Sequence, residues 1–159
     1  MRGYFGVGAE RISKPMNLGA ILRTAHAFGA SFAFSLNAHH NAREIELSDT
    51  SKTPAHLPYY KWTSIEDMAL PTDCTLVGVE LTPNAIELPE FRHPRAAAYL
   101  FGPERGELSP EATALCTHVV RIPTQFCVNV SVAAALVMYD RLLCFGGYRS
   151  RPLVPGGPA

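Results

Sequence analysis

Two stretches, residues 75–81 (TLVGVEL) and 96–101 (AAAYLF), are apolar at almost every position. A strand with one wet face alternates apolar and polar residues, so a near-continuous apolar run marks a strand covered on both sides, as in parallel sheets flanked by helices. That requirement points to a three-layer α/β architecture. Residues 4–7, 31–36 and 118–122 read as further strands. Between the first two lies a helix beginning at Pro15, with Leu18, Ile21, Leu22 and Ala25 on one face and Gly29 as its stop. A crossover of that length favours a parallel pair.

Ser109 and Pro110 form a helix start, as N-cap and first helical residue, and residues 64–68 suit a short helix. From Asn129 to about Phe145 runs a helix apolar on nearly every side. Such a helix is buried from several directions, and a subunit interface would supply the extra cover. Gly6-Val7-Gly8 lacks the third glycine and following helix of a dinucleotide site and reads as a turn. Residues 37–60 are polar, carry His39-His40 and are broken by Pro54 and Pro58, a length of irregular chain that points to function. The expectation is one domain over residues 1–148, with a mostly parallel sheet, and a disordered tail over residues 149–159, where Pro152, Pro155 and Pro158 cluster with glycines.

The 159 residues suit a single core. Fourteen basic residues balance fourteen acidic ones, which argues against bulk electrostatic coating of nucleic acid but leaves room for a local basic face. Eleven of the basic residues are arginine, the side chain that grips phosphate bidentately. Cys74, Cys116, Cys127 and Cys144 are too widely spaced for a zinc motif or a dense disulfide framework, so buried free thiols and no metal are expected. With no apolar leader and no apolar run of membrane-spanning length, the chain reads as soluble and cytoplasmic, with no membrane partner.

Ligands of open parallel sheets bind beyond the carboxyl ends of the strands. Three segments placed there are dense in glycine, proline and polar residues. The first holds Asn17, Gly19 and Arg23; the helix spacing puts Arg23 at the packed edge, where it would also serve simply by reaching to solvent. In the second, a strand runs directly into Gly102-Pro103-Glu104, a sharp turn suited to close approach of a ligand. The third passes from Ile122-Pro123 through an irregular loop to Asn129 and Ser131, which also suffice as caps for the last helix.

Together these segments resemble the SpoU/TrmH branch of the SPOUT methyltransferases. Its N-x-G-x-x-x-R motif is matched by Asn17, Gly19 and Arg23. Its F-G-x-E-x-x-G-[LI] motif is matched by Phe101 to Leu108, with Gly106 one place early. Its I-P-M and S-L-N-V-S-x-A motifs are matched by Ile122-Pro123-Thr124 and Cys127 to Ala133, with threonine for methionine and cysteine for serine.

The resemblance implies a homodimer with a carboxyl-terminal trefoil knot. It implies S-adenosylmethionine as cofactor and transfer of its methyl group to an RNA ribose 2′-hydroxyl. Carried over by residue, Gly102 and Ile122 would hold adenine and ribose through backbone groups, Val79 and Leu100 would line the pocket, and Cys127, Asn129 and Ser131 would shape the loop. Arg23 would be catalytic, fixed with the cofactor loop by Asn17 and Glu104. Because the chain opens on its first strand, tRNA is favoured over rRNA, with Arg43, Lys52, Tyr59, Tyr60 and Lys61 as candidate RNA contacts. The alternatives are a degenerate SPOUT-like protein that binds RNA or cofactor without methylating, and a nucleotide-binding module of another kind.

Overall fold

Gly6 and Gly8 lie inside the first strand, β1 (Tyr4–Glu10), rather than in a turn. The reason is steric: a Cβ on either would run into the ring of Phe32 or Phe34. The glycines make room for the aromatic residues of the neighbouring parallel strand, β2 (Phe32–Leu36).

The computed structural model describes residues 3–38, 56–146 and 148–157. Besides β1 and β2 these form α1 (Pro15–Ala27), β3 (Tyr59–Trp62), β4 (Thr75–Val79), β5 (Ile86–Glu87), β6 (Ala96–Phe101), α2 (Pro110–Leu115), β7 (His118–Arg121) and α3 (Val130–Phe145). The strand order is β3-β2-β1-β6-β4-β7-β5, and every pairing among them is parallel.

Both faces of the sheet are covered, as the apolar runs required. On one side Val77, Val79, Tyr99 and Phe101 pack under Leu18, Ile21 and Leu22 of α1 and Val137 and Met138 of α3. On the other, Leu76, Ala98 and Leu100 meet Leu108 and Ala112, and Phe34 continues that layer. The alternation of β4 and β6 is therefore between two cores, not between core and water. Ser109 caps α2 by accepting from the Ala112 backbone N–H, and Asn129 caps α3 by accepting from Ser131.

Four expectations need correction. Residues 64–68 form a turn, closed by Met68 N–H on the Ile65 carbonyl and by Thr63 Oγ1 on Asp67 at 2.6 Å, so local side-chain bonds displace a helical start. The edge strand β3 and the two-residue β5 were not anticipated. The phenol of Tyr59, offered as an RNA contact, instead donates inward to Ser35 Oγ at 2.6 Å. Of the cysteines, all free, Cys74 and Cys116 are half-buried, whereas Cys127 and Cys144 are exposed. His39, His40, Arg43 and Lys52 lie outside the described residues.

α3 is apolar all round, yet its faces differ. Val130, Ala134, Val137, Met138 and Arg141 are buried, while Val132, Leu136, Tyr139 and Leu143, spaced four, three and four residues apart, are 39–50% exposed. Among the described residues no helix is long and apolar enough to cross a membrane.

Candidate functional site

Loops leaving the carboxyl ends of β1, β4, β6 and β7 open onto one cleft of about 280 Å³. The cleft begins with a deficiency in α1. That helix has no side-chain cap of its own and no acidic residue in its first turn, which leaves amide donors and the positive end of the helix dipole unmatched. Glu104, about 90 residues away in sequence, brings a negative charge to that end and holds the residues that enter the helix. One carboxylate oxygen accepts from the Lys14 N–H at 2.9 Å and Asn17 Nδ2 at 3.0 Å; the other accepts from Ser13 N–H and Oγ at 2.9 Å each. Burial pushes the Glu104 carboxyl up, but these bonds outweigh it and bring it down to about 2.

The contact continues into the third loop. Asn17 Oδ1 accepts from Asn129 Nδ2 at 3.1 Å, and Asn129 Oδ1 accepts from Ser131 N–H at 2.9 Å and Oγ at 2.6 Å. A single chain of bonds, Glu104–Asn17–Asn129–Ser131, thus ties together the three segments singled out from the sequence. Arg11 adds a further tie, donating to the Glu107 carbonyl at 2.6 Å.

Asn17, Val79, Gly102, Glu104, Ile122, Cys127 and Asn129 line the cleft. Ser131 stands behind it as the support of Asn129. Leu100 is fully buried in the core layer beneath α2, two residues short of Gly102, and its side chain does not reach the cleft. Arg23 is exposed on α1 and is not among the lining residues.

A profile of the SpoU rRNA Methylase family matches residues 5–139 of this chain. The chain belongs to the SpoU methylase family. Among its relatives, the tRNA (guanosine(18)-2′-O)-methyltransferase of Thermus thermophilus is 30% identical over 140 residues, covering 82% of this chain and 70% of that one. The enzyme of the same name from Escherichia coli is 27% identical over 145 residues, covering 82% of this chain and 59% of the relative. The solved SpoU methyltransferase AviRb of Streptomyces viridochromogenes, in complex with AdoMet, superposes with a TM-score of 0.82 at 22% identity, over 92% of this chain and 60% of that one. At that identity the likeness is one of fold.

This SpoU-family chain also puts residues in the cleft that sequence reasoning missed. Glu80, at the end of β4, accepts from Leu108 N–H at 2.9 Å and Leu81 N–H at 3.0 Å. Its only signal was a charge closing an otherwise apolar strand. Lys14, the one cation lining the cleft among the described residues, gave no signal beyond preceding the helix-starting Pro15. Thr124 turns its hydroxyl back onto its own loop, donating to the Phe126 carbonyl at 2.8 Å.

Proposed function

We propose that this SpoU-family chain transfers a methyl group from S-adenosylmethionine to a ribose 2′-hydroxyl of RNA, with tRNA the favoured substrate. The observation that carries this reading is the bond chain from Glu104 to Ser131, which closes three family motifs around one cleft. Two relatives that modify tRNA favour that substrate over rRNA.

The cleft fits the cofactor. Its volume of about 280 Å³ falls just below the roughly 300–1,000 Å³ of small-molecule sites. A Cβ on Gly102 would come within 3.0 Å of Glu80 Oε2 and 3.3 Å of the Leu108 nitrogen, so glycine lets the turn at the cleft wall pack closely against the bond between those two groups. In our reading the backbone at Gly102 and Ile122 holds the adenosine, Val79 forms an apolar wall, and Cys127 and Asn129 border the cofactor loop. Bound S-adenosylmethionine supplies a methyl group made electrophilic by its sulfonium.

Arg23 works on the other substrate. A guanidinium offers five N–H donors and no acceptor, so it is a poor proton acceptor. Placed against the target phosphate and 2′-oxygen, it stabilises the developing alkoxide electrostatically while a phosphate or water takes the proton. Because Arg23 lies outside its own chain's cleft, we infer a homodimer in which a second copy brings its arginine to the cleft. The exposed apolar face of α3 (Val132, Leu136, Tyr139, Leu143), with Met16 of α1, 74% exposed, is the surface for that contact. We also infer that the segment between β7 and α3 threads the loop after β6 as the family's trefoil knot. The two share one cleft wall, and α3 returns to pack on α1.

The test is transfer of labelled methyl from S-adenosylmethionine to tRNA and rRNA pools, with nucleoside analysis. A 2′-O-methylated nucleoside from tRNA is expected. A methylated base, or no transfer to either pool, would overturn the reading.

A further inference from the structure

The carboxyl end of α3 carries a second cluster of chemistry-bearing side chains that methyl transfer does not use. Asp140 and Cys144 are four residues apart, and so stand one above the other on the same face of the helix. Facing them is His93, from the loop that leads into β6, only 3% exposed. A ring nitrogen of His93, a carboxylate oxygen of Asp140 and the Cys144 sulfur all lie within 4.8 Å of one another. At the α-helical rise, Asp140 is roughly 16 Å along the axis from Asn129, well away from the cleft.

The histidine is locked in orientation. Nδ1 faces the Tyr99 hydroxyl at 2.6 Å and Nε2 faces Asp140 Oδ2 at 2.8 Å. Phe91 and Tyr99 meet the imidazole edge to face, at 5.0 and 5.6 Å between ring centres. One ring nitrogen anchored by an outer partner, here the Tyr99 hydroxyl, fixes the direction of the other, which is how metal-binding imidazoles are oriented. The Cys144 sulfur in turn lies against the His93 backbone N–H; burial and the neighbouring Asp140 carboxylate push its thiol up, so it takes a bound cation to hold the thiolate there. Arg141 itself is committed to the carbonyls of Tyr4, Pro94 and Arg95 and to the Tyr99 hydroxyl.

We propose that His93, Asp140 and Cys144 bind one zinc ion, with water at the fourth position. A nitrogen, an oxygen and a thiolate sulfur suit zinc, whereas magnesium and calcium prefer oxygen alone. The three atoms would close in to roughly 2.0–2.3 Å from the ion, and Asp140 and Cys144, on the solvent side, give it a way in. Binding releases the thiol proton of Cys144 to solvent, and it takes the His93 tautomer with its proton on Nδ1, donated to the Tyr99 oxygen, which leaves Nε2 for the ion. The ion would tie the end of α3 to the loop before β6. Sequence spacing concealed the set, because His93 and Asp140 are 47 residues apart.

Cobalt(II) reports its ligands by colour, so it is titrated into the full chain and then displaced by zinc. One ion per chain is expected, with the near-ultraviolet thiolate-to-cobalt band and the visible bands of four-coordination. Cys144→Ser should remove the thiolate band, and Asp140→Asn should weaken binding by about tenfold or more. In the unaltered chain, zinc should also protect Cys144 from alkylation as read by mass spectrometry, a measurement that needs no variant to fold. The proposal is overturned if no ion binds, if the thiolate band is missing or survives Cys144→Ser, if Asp140→Asn binds as tightly as the parent, or if zinc leaves Cys144 alkylation unchanged.

Discussion

Near the amino end of α3 a carboxylate, Glu104, gathers donors from the segment that enters another helix; near its carboxyl end a guanidinium, Arg141, gathers backbone carbonyls. The two junctions differ in surroundings more than in design. Glu104 sits at the rim of an open cleft, and its four partners hold loops around space. Arg141 is 4% exposed, bonded to three carbonyls and a phenol, and packed against the Phe5 and Phe145 rings at 5.2 and 4.8 Å. A partly wet charge can order loops that a ligand must enter. A buried charge needs every donor matched and adds rigidity instead. Function and stability should therefore separate along this one helix.

Breaking the buried junction should have the largest effect. Arg141→Ala should cost about 3–5 kcal/mol, because it strands several buried carbonyls. The check is the urea midpoint, with methyl transfer per folded molecule little changed. Glu104→Ala should do the reverse. Stability should fall by only about 1 kcal/mol at this partly exposed site, whereas methyl transfer should fall about a hundredfold as the loops lose registration. Asn129→Ala removes both a helix cap and the link to Asn17, and should cost about 1 kcal/mol by thermal melting.

Acid sharpens the contrast with the smallest signal. The Glu104 carboxyl lies below its ordinary value of 4.5, at about 2, so its stabilisation is fully present above pH 4.5 and is lost as pH falls through about 2. The stability difference between the parent chain and Glu104→Gln should be constant from pH 7 to 5 and vanish near pH 2. The carbonyls that Arg141 holds carry no proton to exchange, so the effect of Arg141→Ala should not shrink in the same way.

The sheet was legible in the sequence wherever strands are buried on both faces, since β4 and β6 announce themselves as apolar runs. β3 and β5 were not, being short, partly exposed strands at the two edges. Gly6 and Gly8 misled because a glycine's local meaning is a turn, while the cause of these two is the pair of rings on the next strand. The motif loops were readable in order, but the fact that Glu104 braces the entry to α1 was not, since a partner supplied from 90 residues away leaves no local trace. The Arg141 and His93 networks were hidden for the same reason. Arg141 reads as the polar end of an apolar helix and turns out to be inside.

The most direct test is binding of labelled S-adenosylmethionine to the parent chain, Glu104→Ala and Arg23→Ala, side by side. If Glu104 shapes the cofactor cleft and Arg23 acts on RNA from outside it, Arg23→Ala should bind like the parent and Glu104→Ala should bind far more weakly. Parent-like binding by Glu104→Ala, or equal loss in both variants, would contradict that division of labour.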